Sequence, residues 1–502
     1  MPAWQTIVIC GVLNVVFAAH SGLWGVLIID MIQFFIKMTA VFAAAWFSLV
    51  EVGERLVGKG AGGWAGLKAL VEKLSTQQVV IPKVQKMVDG VAQVKDGVPV
   101  MVDGQPVMSL INGTGQPFLD MLPNFTMSEL ALMIFILPIA IGWWANWYPG
   151  AEPGGGSYIA QRMLASKSEK DSLGGTLFFN IAHYVLRPWP WIITALCSII
   201  VYPDLASIKS AFPAADVALI GHDSAFPAML KFLPVGFVGL MVGGLIAANS
   251  STILTHLNWG SSYLVHDFYR RFINKDATEG HYINVGRLST VVLYVFAAVL
   301  SLFMTSAQQA FEVLLPIGAG TGLIYIARWF WWRVSAWCEI VAMLMSLVTS
   351  LAVPLLMPDT GFATRTIVQV TITTLAWLIT AYVGPETDRA TLISFYRKVK
   401  PVGPGWTDIR AEAGVTDAEV AQENRIGSAL LGWISGCVVI WSSLFAIGNF
   451  LYSSGDPTRL KMAWILTAVF AVSGYVLLKV TQQLWADSTA SQAREDERLK
   501  QG

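Results

Sequence analysis

The stretch LPVGFVGLMVGGLIAANSSTILTHLN, Leu233 to Asn258, begins as an apolar run and ends on Asn249, Ser250, Ser251, Thr252, Thr255, His256 and Asn258. About twenty apolar residues in a helix cross roughly 30 Å of hydrocarbon. Polar side chains on such a span avoid lipid and face a protein interior, so further spans are needed to surround them. The composition supplies them: 55% of residues are hydrophobic and 13% charged, and apolar runs begin near Trp4, Leu23, Met127, Thr176, Leu233, Val285, Phe311, Ala336, Ile367, Ile426 and Ala463. The fold class is therefore an all-α polytopic membrane protein in a lipid bilayer.

The formal net charge of zero provides no basic field for nucleic acid. Cys10, Cys197, Cys338 and Cys437 lie in apolar segments without CxxC spacing and read as small buried hydrophobes. Neither HExxH nor GxSxG occurs, so no enzyme chemistry is expected.

Arg and Lys mark one side of the membrane. Arg162, Lys167 and Lys170 follow the third span, Arg270, Arg271 and Lys275 the fifth, Arg328 and Arg333 the seventh, and Arg389, Arg397, Lys398 and Lys400 the ninth. Strict alternation puts all four clusters on the cytoplasmic face, with residues 51–126 outside. In that outer segment Asp89-Gly90, Asp96-Gly97 and Asp103-Gly104 recur every seven residues between Val-rich pentads, which predicts a small β-meander with Asp-Gly turns.

Three features carry chemistry. The third span ends in Trp147-Tyr148-Pro149-Gly150-Ala151-Glu152-Pro153, a run no helix continues through. Interrupted helices free backbone groups that transporters use to bind solutes, which makes Trp147, Tyr148 and Glu152 solute-binding candidates. On the fifth span, hydroxyls of Ser251 and Thr252 with a nearby carbonyl suit a hard monovalent cation. Helix–helix packing is the competing explanation, supported by the GxxxG pair Gly239 and Gly243. His183 and Arg187, one helical turn apart on the fourth span, are placed to meet an anionic or hydroxylated solute, with a structural ion pair between Arg187 and a carboxylate as the competing explanation; an imidazole with an ordinary pKa of about 6.5 that faced a solute pocket would make transport pH-sensitive.

Gly22-Leu23-Trp24-Gly25-Val26 with Asp30 and Gln33, Tyr158-Ile159-Ala160-Gln161-Arg162 with Gly175-Thr176-Leu177-Phe178, and Ala248, Ser251 and Thr252 followed by Asn258, Asp267 and Tyr269 resemble, in order, the fifth to eighth core helices of the sodium:solute symporter family. The resemblance implies a ten-helix core of two inverted five-helix repeats, with sodium between the first and eighth core helices. It implies that Ala248 lends a carbonyl and Ser251 and Thr252 their hydroxyls to sodium, the co-transported ion, and that Asp30 lies on the sodium exit path. His183 falls where the sugar-transporting branch has a solute-contacting lysine, so the resemblance implies solute contact at this position, while the absence of the lysine puts a sugar in doubt and leaves the solute unassigned.

The expected organisation follows. Residues 1–50 are a remnant of the first repeat (core helices 4 and 5), 51–126 the extracellular insertion, and 127–333 the second repeat (core helices 6 to 10). Residues 334–383 are two additional transmembrane helices, 384–425 a cytoplasmic loop, 426–480 two C-terminal spans and 481–502 a cytoplasmic tail. Because the first run resembles the fourth core helix, the chain is read as truncated at its N-terminus, through a mis-set start, and so without half of the sodium ligands. The expected function is sodium-coupled symport of a small organic solute across the plasma (inner) membrane. The alternative is a transporter-like solute sensor or accessory membrane subunit.

Overall fold

The computed structural model describes residues 3–75, 78–79, 87–88, 91–92, 101–102, 105–106, 116–117, 119–122, 132–142, 162–215, 220–303, 307–358, 360–401, 403–416, 419–420 and 425–501. Helices α1 (Ala3–Leu56), α2 (Gly63–Ser75), α3 (Glu169–Ile181), α4 (Pro188–Val201) and α5 (Leu205–Ala211) are followed by α6 (Val235–Ser262) and α7 (Glu279–Ser301). Then come α8 (Ala307–Ala327), α9 (Ala336–Leu356), α10 (Phe362–Val383), α11 (Arg389–Val399), α12 (Thr407–Ala413), α13 (Ile426–Leu451) and α14 (Pro457–Gln501). Among the described residues eight helices are long and apolar enough to cross a membrane: Met31–Leu56, Lys170–Val201, Val235–Ile273, Glu279–Ser301, Ala336–Leu356, Phe362–Val383, Ile426–Leu451 and Pro457–Ala486. The chain is a polytopic, all-α protein with a small β-containing insertion. It folds as two compact units, one of Met1–Leu70 with Arg187–Gln309, the other of Val71–Leu186 with Ala310–Gly502.

In the first unit α1 packs on α6 through small residues, with Ala40, Val41 and Ala44 buried against Leu233 and Met241. A Cβ on Gly244 would lie 3.5 Å from the Lys37 Cα, so this glycine is where the two backbones come close. Cβ atoms on Gly239 and Gly243 would meet nothing within 4 Å. The GxxxG pair is thus not a packing motif among the described residues; α6 uses the next glycine, one position round the helix. Further along, Ser261 Oγ donates to the Gly286 carbonyl at 2.8 Å and ties α6 to α7.

Three expectations about the spans are corrected. The runs expected to begin separately at Trp4 and Leu23 lie on one unbroken helix, because Ala18-Ala19-His20-Ser21 contains nothing that forbids helix. The third span, expected as an α-helix from Met127, winds in its described part as two π-helical turns, Leu132–Ile136 and Pro138–Gly142. Pro138 has no N–H for the i→i−4 ladder, and the widened turns flank it. The fourth, expected as one helix from Thr176, is α3, a π-helical turn over Ala182–Leu186, and then α4. Pro188 at the start of α4 fixes that restart.

In the insertion, strand Met87–Val88 pairs antiparallel with Val91–Ala92 in the register Val88↔Val91, so the two residues between are Asp89-Gly90. Met101–Val102 pairs likewise with Gln105–Pro106 across Asp103-Gly104. Gln78–Val79 pairs with Gln116–Pro117 and closes the segment. The described strands form three separate two-stranded ladders and not a continuous meander; Asp96-Gly97 lies outside the described residues. Where the segment returns to the helices, Arg459 at the start of α14 donates to the Leu119 carbonyl at 3.1 Å and pairs with Asp120 at 3.5 Å.

Residues 384–416, expected as loop, include a folded helical pair. Leu392, Tyr396, Trp406, Ile409 and Ala413 form a buried core with Trp332 packed on it. Trp406 Nε1 donates to the Arg328 carbonyl at 3.1 Å, and Gly405 N donates to the Phe330 carbonyl at 2.9 Å. Arg333 pairs with Glu386, and Arg389 grips Glu412 with Nη2 at 2.6 Å and Nε at 2.9 Å while lying over the Trp332 ring. The segment is therefore clasped to the end of α8. That hydrogen bond from Arg389 holds the Glu412 carboxyl below its ordinary value. The pair's stabilisation is present at all pH above the ordinary carboxylate range and is lost only as pH falls through the lowered value.

The clasp yields a prediction. A Cβ at Gly403 would lie 2.1 Å from the Phe330 Cα, a backbone atom that cannot swing away. Gly403→Ala is expected to destabilise the clasp by about 1–3 kcal/mol, the scale of overpacking, and to speed proteolysis between residues 384 and 416. Cleavage at the unaltered rate would contradict this close approach.

Candidate functional site

The sodium-side candidates lie midway along α6. Thr252 Oγ1 donates to the Ala248 carbonyl at 3.1 Å, one turn back along the helix. Its proton is committed there, so the hydroxyl presents lone pairs to anything that approaches. The carbonyl of Ala248 and the hydroxyl of Thr252 are thus two hard, neutral oxygens side by side, of the kind an alkali cation takes as ligands. Thr252 is exposed and Ala248 half-buried, whereas Leu254, Thr255 and Leu257 just beyond are buried. The Thr252 carbonyl accepts a bond from His256 Nδ1 at 2.8 Å, which fixes that ring's orientation. Ser251 belongs to the same helix immediately before Thr252; its side chain lies outside the described residues. The Asp30 side chain does too, although its backbone is on α1.

His183 sits on the π-helical turn, its ring stacked on Phe179 at 5.1 Å and 22° and edge-on to Tyr184 at 4.6 Å and 81°. The ring is half-buried within an aromatic trio. Arg187 was expected one α-turn away on the same face. Arg187 follows the π-helical turn and is the exposed residue at the N-cap position of α4, where its side chain makes no cap; it opens the chain's other unit. Pro188-Trp189-Pro190 was the available signal for this break. Trp147, Tyr148 and Glu152 lie outside the described residues.

Eight apolar spans among the described residues, one of them bearing paired neutral oxygens, define a polytopic helical membrane protein. The chain belongs to the sodium:solute symporter family, which matches residues 1–345. Its members are transporters and not enzymes. Among similar proteins, a sodium/glucose cotransporter of Vibrio parahaemolyticus is 24% identical over 369 residues, 71% of this chain and 59% of that protein. An osmoregulated proline transporter of Bacillus subtilis is 28% identical over 115 residues, 22% of this chain and 23% of that protein. The sodium/myo-inositol cotransporter 2 of Oryctolagus cuniculus is 27% identical over 190 residues, covering 35% of this chain and 27% of its own length. The chain thus spans less than two thirds of the length of each of these relatives.

The aromatic setting of His183 allows its packing and its ring nitrogens to be separated. His183→Phe keeps a ring between Phe179 and Tyr184 and is expected to melt above His183→Ala, which loses the stacking, by a difference on the order of 1 kcal/mol. Equal melts for the two variants would show that the aromatic packing contributes nothing to the turn.

Proposed function

We propose that the chain acts in a secondary active transporter that moves a small organic solute together with sodium across the plasma membrane. The observation that carries this reading is the Thr252 Oγ1–Ala248 carbonyl pair at 3.1 Å on a helix otherwise built for a bilayer. In this reading sodium takes the Ala248 carbonyl and the hydroxyls of Ser251 and Thr252, and leaves past Asp30. Neutral oxygens suit a cation that must be released again, because no fixed carboxylate has to be left uncompensated at mid-membrane. Sodium then favours whichever conformation completes its ligand shell, and a solute that prefers the same conformation is bound more tightly for as long as sodium stays.

On the solute side we assign His183, Arg187, Trp147, Tyr148 and Glu152. Membership of the family supports transport, and the names of the relatives point to polar organic solutes: glucose, myo-inositol and proline. A histidine at position 183 weighs against a sugar. An imidazole offers one donor and one acceptor where a lysine offers three donors and a charge.

The test is uptake of those three solutes by cells expressing the protein, in sodium and in potassium media. Thr252→Ala is expected to raise the sodium concentration for half-maximal uptake about tenfold, the scale of one lost contact to a charged group, and Thr252→Ser to restore it. Sodium dependence identical in Thr252→Ala and the unaltered protein would overturn the assignment.

A further inference from the structure

We propose that the recess between α5 and the segment 220–228 binds a small organic ammonium ion, an apolar body carrying one cationic head, with Asp223 as its counter-ion. The cavity there has a volume of about 390 Å³, with Ile208 and Phe212 on one side and Ile220, Pro227 and Ala228 on the other, and with Asp223 and Ser224 in its lining. Pockets that hold small organic ligands run from about 300 to 1,000 Å³ and are mostly apolar with a few polar groups that fix orientation. The segment precedes Val235–Ile273, and Arg270 and Arg271 stand at the far end of that span, so the recess and these arginines lie on opposite sides of the membrane.

The walls are tied down by the rest of this unit. Asp204 Oδ1 accepts from the Ser207 N–H at 2.7 Å and caps α5. The Phe212 ring lies 6.3 Å from the Tyr202 ring and takes the Lys231 ammonium at 5.5 Å. Tyr202 in turn meets the Phe232 ring at 6.3 Å. Arg55 of α1 sits over Phe232 at 5.8 Å and donates to the Val201 carbonyl at 3.2 Å, at the end of α4. A recess held in this way needs little ordering when a ligand enters.

The chemistry of the lining selects the ligand. Ser224 Oγ accepts from Gly221 N at 2.8 Å and donates back to the Gly221 carbonyl at 2.5 Å, so its proton is committed. The Asp223 carboxylate has neither a hydrogen bond nor an ion pair among the described residues, and it is the one ionisable group in the lining. The recess therefore offers hydrocarbon and a single negative charge. An anion is repelled, and a neutral apolar molecule covers the carboxylate without pairing it. A sugar brings several hydroxyls to walls that have almost no partners for them. An ammonium head makes a charge-assisted hydrogen bond to Asp223 beside apolar walls, where the attraction exceeds that in bulk water, while its body covers the walls themselves.

Equilibrium binding of 2-phenylethylamine and 2-phenylethanol to the full chain in zwitterionic nanodiscs tests this, with empty nanodiscs subtracted. The two probes share a shape and differ in charge. Potassium buffer without sodium keeps the outcome independent of the Ala248–Thr252 assignment. The amine is expected to bind saturably and the alcohol about tenfold more weakly, the scale of one hydrogen bond to a charged group. Asp223→Asn is expected to bring the amine down to the affinity of the alcohol; Asp223 is exposed and unpaired among the described residues, so this variant keeps the fold. Amine binding that does not saturate, equal affinities for the two probes, or an amine preference that survives Asp223→Asn would each overturn the proposal.

Discussion

Hydrocarbon accepts no hydrogen bonds, and that constraint determines where the hydroxyls of this chain send their protons. Thr194 donates to the Pro190 carbonyl at 2.8 Å, Ser435 to Leu431 at 2.5 Å and Thr467 to Ala463 at 2.8 Å, each to the residue four places back on its own helix. Thr252 does the same to Ala248. A hydroxyl bound in this way has no proton left for acceptors elsewhere yet keeps its lone pairs. On a buried face that makes it inert filling. On the exposed side of α6 it yields two adjacent oxygens whose remaining capacity is for a cation.

Helix geometry adds a second layer. The π-helical turn at Ala182–Leu186 and the restart at Pro188 give His183 and Arg187 different local surroundings, one within an aromatic trio and one exposed at a helix start. Irregular turns of this kind inside spans are tolerated when side chains or neighbouring helices take up the displaced backbone groups.

Much of the fold was legible because a membrane span needs only length and apolarity: the runs at Leu233, Val285, Ala336 and Ile426 all appear as helices in place. The pairing of the strands that flank Asp89-Gly90 and Asp103-Gly104 was legible because a connection of two residues has few chemical solutions; those four residues themselves lie outside the described ones. What stayed hidden depends on long-range contact. Nothing local in Gly403-Pro404-Gly405-Trp406 says that it will clasp Phe330, some seventy residues earlier. The continuity of α1 was missed because two adjacent apolar runs look alike whether or not a turn separates them. That α6 meets α1 at Gly244 and not through the Gly239–Gly243 spacing depends on which side of the helix faces Lys37, which no local pattern states. At the candidate site the hydroxyl of Thr252 was legible from its residue type, whereas the Ala248 carbonyl came only through the family resemblance, and that the two are bonded is seen in the folded helix.

The central claim is that these oxygens bind sodium, and the most direct measurement is equilibrium binding of radioactive sodium to the purified protein in nanodiscs without any solute. The account predicts saturable binding that unlabelled sodium displaces and an equal concentration of potassium does not. Binding that fails to saturate, or that potassium displaces equally well, would contradict it.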